Sequence, residues 1–501
     1  MCKKTVLLLV LLILGSSAFL RAEVSRPEPA GNRPNFVFIL IDDMGWKDVG
    51  FMGSKFYETP NIDKLAGEGM VFTNAYSNAA NCAPTRASLL TGQYTPRHGV
   101  YTVGNSTRGR SSNRRLIPVV NDTTLDSRHV TIAEALKKGN YVSASMGKWH
   151  MGNPPELGPV EQGFDLNVGG HAAGGPYTGK KYFSPYKNKW LGDGPDGQYL
   201  TDRLSDEAVK FIEINKDKPF FLYLAHYAVH APLMAKDKLK DYYKSKNTRH
   251  GPYKKPDHNN STYAAMIHSV DEGVGRIMKK LKELSLDERT VVVFFSDNGG
   301  AGFATDMYPL RGAKGMFYEG GIRVPMLVRW KGSVKPASVC SEPVMGVDFF
   351  PTFLDLAGID QPAGKILDGK SIVPLLKGAD KLNREAVFWH FPAYLQGGDS
   401  ESRDKIFRTR PVSVIRKGSW KLLLFLEEWI LDCNENADSA SLLKAVELYN
   451  LKNDLGEQNN LASSNKQKRD ELLADLLTWR KSLGIEAGEM KLNPKYNTNK
   501  Q

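Results

Sequence analysis

A chain of 501 residues, 41% of them hydrophobic, can bury a large core and a smaller second one, so its four cysteines are not needed as staples. Its net charge of +12, from 67 basic and 55 acidic residues, suits an acidic partner such as nucleic acid, a membrane surface or a sulfated polymer, without choosing among them. The basic stretches at 108–115 and 236–255 lack the interleaved aromatics of a single-strand groove, which argues against nucleic acid and reads as solvated surface.

At the start, Lys3 and Lys4 precede an apolar run at 6–14 and then Gly15, Ser16, Ser17 and Ala18. That is the layout of a signal peptide over 1–22, too short for a stable membrane span, and it predicts an exported protein, periplasmic or secreted. Cys2 leaves with the signal; Cys340 and Cys433 remain, and whether they pair is open. Short apolar or β-branched runs at 35–41, 219–225, 290–296 and 324–330 predict buried strands. Amphipathic patterns at 131–138, 199–214, 263–284 and 347–356 predict the helices between them. This alternation predicts an α/β domain over 33–380, a mainly parallel sheet sandwiched by helices, with its site at the carboxyl ends of the strands. From 384 to 485 the pattern changes to an antiparallel meander at 386–390, 412–417 and 419–425, closed by a helix at 466–483, which predicts a smaller C-terminal domain. The polar residues 486–501 read as a loosely ordered tail.

Several groups of residues carry chemistry. The stretch 81–92 reads as a short helix with Pro84 at its first position and Gly92 at its stop. Cys82 then sits at the positive end of the helix, with Arg86 four residues on and on the same face. Asp42-Asp43 and Asp297-Asn298 follow predicted strands and lead into glycine. Either pair alone would be a turn former; together they offer hard oxygen ligands for Ca2+, with Mg2+ as the alternative. In the extended segment after Gly147, Lys148 and His150 share a face, a cation beside a titratable imidazole. His226 and His230 follow the second strand. The Gly-rich loop from Gly169 through His171 to Tyr177 reads as the lining of an opening.

The pattern Cys82-x-Pro84-x-Arg86, followed by Leu89, Leu90, Thr91 and Gly92, resembles the signature of the type I sulfatases. Thr85 stands where that family more often has Ser or Ala. The resemblance extends from Pro34 to about Leu461. It includes Gly147-Lys148-Trp149-His150, His230 before Ala231-Pro232, and the Gly-rich segment running from Pro309 through Lys314 to Pro325. It implies an alkaline-phosphatase-like fold and a sulfuric ester hydrolase. It also implies a formylglycine made from Cys82 by a maturation enzyme, and hydrolysis through a sulfated formylglycine. The same resemblance places a divalent cation, usually Ca2+, on Asp42, Asp43, Asp297, Asn298 and position 82. Arg86 and Lys148 would hold the formylglycine and the sulfate, His230 with Lys314 would protonate the leaving alcohol, and His150 would take the proton that lets the sulfate go. The implied substrate is a sulfated carbohydrate, a galactan such as carrageenan or a glycosaminoglycan, with galactose or N-acetylgalactosamine sulfate preferred. His171, Tyr177 and Arg311 then become contacts for sugar hydroxyls or a second sulfate, and the loop around His171 with Arg311 beside Lys314 predicts a closed pocket and exo-action. Two alternatives are a phosphonate or phosphodiester hydrolase of the same superfamily and a non-catalytic polysaccharide-binding protein.

Overall fold

Every residue of the strand Asn35–Ile41 is buried, and its side chains divide between two cores. Val37, Ile39 and Ile41 enter one, with the helices Leu200–Ile214 and Ser261–Glu283; Phe36, Phe38 and Leu40 enter the other, with Cys82–Thr91 and Phe349–Ala357. An apolar strand of this kind is stable only with both faces covered, each large side chain contributing roughly 1.5–3 kcal/mol by burial. The stacking of Phe36 on Phe353, 4.5 Å between centroids, and the edge contact of Phe38 with Phe349 at 4.8 Å are part of that cover.

The computed structural model describes residues 33–246, 259–433, 439–485 and 489–496. The expected signal peptide at 1–22 lies outside them. Asn35–Ile41 is flanked by parallel partners, Phe220–Ala225 on one side and Thr290–Ser296 on the other, and Val142–Gly147 continues the parallel block. The strand Met326–Arg329 then runs antiparallel to Thr290–Ser296, so the eight-stranded sheet is mixed, ending on one edge in the short strands Met70–Phe72 and Ser338–Cys340 and on the other in Leu166–Val168. Two expected strands begin later than predicted because Pro219 and Pro325 lack the N–H a central ladder needs. The helix predicted at 131–138 contracts to Ile132–Leu136, with Thr131 and Glu134 closing a capping box.

The four-stranded antiparallel sheet is ordered Ala386–Phe391, Val412–Lys417, Trp420–Phe425 and Val446–Asn450, and Leu472 and Leu476 of the helix Lys466–Ser482 pack in its core. Its fourth strand was not among the predicted ones. The expected loose tail is corrected over 489–496: Met490 is buried, Lys491–Leu492 pairs with Leu116–Ile117, and the Asn493 amide donates to the carbonyls of Ser111 and Arg114 at 2.8 Å. Cys340 ends an edge strand of the large sheet and Cys433 packs against the core of the small one; both are free, so the two are not joined. Among the described residues, no helix is long and apolar enough to cross a membrane.

Gly147 ends its strand at φ +96°, and a Cβ there would lie 2.1 Å from the Ala225 carbonyl oxygen. Gly147→Ala should therefore lower stability by roughly 3 kcal/mol, read as a fall in Tm. Gly332→Ala, at φ +80° with open space around it, should cost only about 1 kcal/mol.

Candidate active site

In the sheet, Leu40 and Gly147 are both opposite Ala225, and Ile41 is opposite Ser296. The residues that follow therefore leave the carboxyl edge at one level. Main-chain bonds carry the alignment past the strands: Asp297 N–H donates to Ile41 O at 3.0 Å, Lys148 N–H to Ala225 O at 2.7 Å, and Asp42 N–H to Ala228 O at 3.0 Å. The helix Cys82–Thr91 enters the same space, every residue of it buried. Gly92 closes it in the left-handed region at φ 67°, donating to Ser88 O. Pro84 is its third residue rather than its first, as its N–H there would still have had no partner within the helix.

The side chains meet as follows. Lys148 Nζ lies 2.6 Å from Asp42 Oδ2, and Lys314 Nζ 2.6 Å from Asp43 Oδ1. Arg86 donates to Asp297 Oδ2 through Nη2 at 2.7 Å and Nε at 2.9 Å, and to the Lys148 carbonyl through Nη1 at 2.7 Å. Its nitrogens thus serve Asp297 and the main chain, not the sulfur of Cys82 as its helical spacing predicted. Asn298 Nδ2 donates to Asp43 Oδ1 at 2.8 Å. His230 holds Ala231 O through Nδ1 at 2.6 Å and presents Nε2 3.8 Å from Asp43 Oδ2. Ligand atoms of Asp42, Cys82 and Asp297 lie within 4.8 Å of one another, as do those of Asp42, Asp43 and His230. Asp43 and His150 both adopt left-handed backbone, at φ 65° and 67°, a cost that the surrounding bonds impose.

Crowding sets the electrostatics. Burial pushes Asp42 up to about 7, with Asp43 and Cys82 adding to it and Lys148 and Arg86 opposing. Burial raises Asp297 as well, and Asp42 adds to it. Burial also works on Asp43, yet Lys314, His230 and Lys148 hold its carboxyl well below the usual range. For Cys82, burial opposes ionisation, but Lys148 and Lys314 win and its thiol lies below its ordinary value. His150 is held neutral by burial and by Lys148, Arg86 and Lys314. His226 is buried and held at about 3, chiefly by burial, and neither ring nitrogen has a hydrogen-bond partner among the described residues.

The residues fit a divalent cation. Among the described residues, Asp42 Oδ1 and Asn298 Oδ1 are buried with no hydrogen-bond partner, which costs about 1–3 kcal/mol for each such group, and both belong to the hard oxygen set that Ca2+ or Mg2+ prefers. The two raised carboxylates are the second sign, since a cation would restore their ordinary ionisation.

The loop at 169–177 lies against this centre. His150 N–H donates to His171 O at 2.9 Å, and a Cβ on Gly174 would come 2.7 Å from His150 Nε2. The His171 ring stacks on Trp190, 5.5 Å between centroids, and the exposed Tyr177 ring stands 6.3 Å from that of His230. Arg311 behaves otherwise than expected. Its plane lies 3.7 Å over the Tyr318 ring and its nitrogens donate to Glu401 O, Tyr449 OH and Glu457 O, which ties it to the small sheet. Two cations near the site were missed, Arg108 and Arg408. Arg108 opens the basic stretch 108–115 that reads as solvated surface, and Arg408 stands in no motif.

Residues 34–359 match the family described as Sulfatase, and residues 313–481 match one described as N-sulphoglucosamine sulphohydrolase, C-terminal. The chain belongs to the sulfatase family. This sulfatase is similar to a "Sulfatase" of Formosa agariphila, 32% identical over 519 residues covering 90% of this chain and 88% of that one. It is also similar to the N-acetylgalactosamine-6-sulfatase of Homo sapiens, 32% identical over 390 residues covering 72% and 69%. A crystal structure of Ps i-CgsB in complex with k-i-k-neocarrahexaose superposes with a TM-score of 0.72 at 30% identity, covering 93% of this chain and 96% of that one. The chain is accordingly a sulfuric ester hydrolase of alkaline-phosphatase-like fold.

Metal-stripped protein given Ca2+ at about a hundredfold excess over its Kd should gain roughly 2.7 kcal/mol of stability, seen as a rise in Tm. A double variant, Asp42→Asn with Asp297→Asn, should show no such rise. A rise of wild-type size in the double variant would remove these residues from the metal site.

Proposed function

We propose that this sulfatase removes O-sulfate by exo-action from a sulfated carbohydrate, a galactan such as carrageenan or a glycosaminoglycan, with galactose or N-acetylgalactosamine sulfate preferred. The observation that carries the chemistry is Cys82 at the head of a buried helix, among Lys148, Lys314, Asp42 and Asp297. Matured to formylglycine by a dedicated enzyme, position 82 would offer one hydroxyl of its hydrate to attack sulfur and a second whose deprotonation lets the carbonyl re-form and expel sulfate. A divalent cation held by Asp42, Asp43, Asp297, Asn298 and position 82 would make the attacking hydroxyl more acidic and draw charge from a sulfate oxygen.

The chain's own residues do the rest. Lys148 and Lys314, whose ammonium groups dominate the field at position 82 after burial, neutralise charge on the equatorial sulfate oxygens. Arg86 fixes the nucleophile's helix against Asp297 and Lys148. His230, its Nδ1–H engaged by Ala231, is kept largely neutral by burial and Lys148, so Nε2 gains the proton that the departing alcohol needs only when the sulfate's negative charge joins it. Lys314, held as an ammonium by Asp43, is the second donor. His150, kept neutral, accepts the proton of the second hydroxyl. Polar discrimination falls to the loop at 169–177, with Trp190 backing His171 and Tyr177 at the opening; Arg311 is left out because its donors are engaged elsewhere. Support for the sugar comes from the relatives, whose names specify N-acetylgalactosamine-6-sulfate and a neocarrahexaose complex. In this reading residues 33–380 form the catalytic domain and 384–485 a domain that closes the pocket, since Thr409 Oγ1 donates to Gly315 O at 2.5 Å, beside Lys314. The mature protein works after export, freed of residues 1–22.

Sulfate release from defined sulfated oligosaccharides, alongside an aryl sulfate and an aryl phosphodiester, tests the proposal. Galactose- or N-acetylgalactosamine-sulfated termini should be the best substrates, and His171→Ala should lower the saccharide-to-aryl ratio of kcat/KM by about tenfold. Preference for the phosphodiester or for simple aryl sulfates, with that ratio unmoved, would overturn it.

A further inference from the structure

Arg108 and Arg408 approach the site from loops far apart in sequence. Arg108 follows Thr102, whose hydroxyl receives the amide of Asn81 at 3.3 Å, so its loop is fastened to the residue that caps the Cys82 helix. Arg114 stiffens the turn beneath it, donating through Nη1 to the carbonyls of Thr107 and Gly109 at 2.6 Å. Arg408 comes from the strand Phe407–Thr409, and its Nη1 lies 3.3 Å from the carbonyl of Lys314, the lysine whose ammonium reaches Asp43. The two loops touch: a Cβ on Gly109 would lie 2.8 Å from the Phe407 ring, and Thr107 bridges Tyr394, next to Leu395, which pairs with Thr409.

Among the described residues neither arginine pairs with a carboxylate, a state shared by Arg33 and Arg114, and what singles the two out is their place beside Lys314 and Cys82. Arg97, Arg384 and Arg410 each hold a carboxylate. Among the described residues, Arg108 and Arg408 instead spend their hydrogen bonds on main-chain carbonyls, those of Val103, Gly397 and Lys314. Burial depresses Arg108, the Cys82 sulfur opposes that, and Arg408 adds to it, so the two like charges feel each other and one feels the reacting position. Half-buried cations side by side without a counter-charge are unfavourable until an anion joins them. A guanidinium pair suits planar or tetrahedral oxyanions, through paired N–H donors.

We propose that Arg108 and Arg408 form a second anion subsite beside the sulfate pocket, taking a further sulfate ester or carboxylate carried by the same carbohydrate chain. This rests on the reading of the site as a carbohydrate sulfatase. The preferred substrate is then multiply charged, and the enzyme acts before its neighbouring anionic groups have been removed.

The test compares oligosaccharides that share one scissile sulfate and carry, next to it, no further charge, a second sulfate or a uronate carboxylate. Wild type should favour a doubly charged member by about tenfold or more in kcat/KM, a preference that shrinks with added salt. Arg108→Gln and Arg408→Gln should bring that ratio toward one, and the lysine variants should keep part of it. Because each ratio is internal to one variant, a loss of folded protein cancels. The arm that shows the preference, sulfate or carboxylate, names the group bound. Calorimetric binding of the same series to Cys82→Ala protein separates the two readings. Binding that favours the doubly charged members through both arginines, with no sulfate released by wild type, would overturn the activity and uphold the subsite. A wild-type ratio near one, or a ratio unchanged by both substitutions, would overturn the subsite.

Discussion

Arg86 joins three separate pieces of the fold through one guanidinium. It belongs to the helix that presents Cys82, it is paired with Asp297 at the end of one central strand, and it holds the carbonyl of Lys148 at the end of another. The pair is fully buried, where desolvation takes back much of the Coulomb gain, so its worth lies in position rather than in net stability. Removing either partner alone would strand a buried charge, at a cost of about 3–5 kcal/mol. Everything chemical in the site is placed relative to this brace: the nucleophile's helix cannot shift without moving the strand ends that carry the acids and Lys148.

The second constraint is the charge the brace brings together. Asp42, Asp43 and Asp297 lie close enough that burial and mutual repulsion raise two of them, while Lys148 and Lys314 absorb part of the field. Such an arrangement makes sense around a bound cation and an anionic substrate. Lys314 depends in turn on the small sheet. Its loop leads to Glu319, which is held with Glu457 by the buried Lys421 at 2.9 Å each, while Tyr76 of the short strand Ala75–Tyr76 donates to Glu319 at 2.6 Å. Sequence-distant residues of the C-terminal part thereby fix a cation at the active edge.

Much of this was legible in the sequence where a signal is local. The strand at 35–41 announces itself by seven buried residues in a row, and the acids that follow stand next to it in the chain. Cys82 and Arg86, Lys148 and His150, His230, and Lys314 fall in four short motifs that can be read without contacts. The edge strands Met70–Phe72 and Ser338–Cys340 are three residues each, too short for any periodicity, and Val446–Asn450 takes its strand character from pairing with Trp420–Phe425. The tail was misread because Met490 and Asn493 find partners near residue 115, a contact no composition predicts. Arg311 looked like a substrate contact because it neighbours Lys314, but its hydrogen-bond partners lie 90 to 146 residues on. Arg108 and Arg408 are the converse case: ordinary in sequence, and significant only once the fold brings their loops together.

The account stands or falls on what side chain occupies position 82 in working enzyme. A thiol held by two lysines is a nucleophile, but once sulfated it has no second hydroxyl with which to expel sulfate by re-forming a carbonyl. Peptide mass spectrometry across residue 82, on protein whose sulfate-releasing activity has been measured in the same preparation, decides the point. The mass of formylglycine is expected there, in a fraction that rises and falls with activity, and a host lacking the maturation enzyme should yield folded but nearly inactive protein. Fully active protein carrying only unmodified cysteine would contradict it.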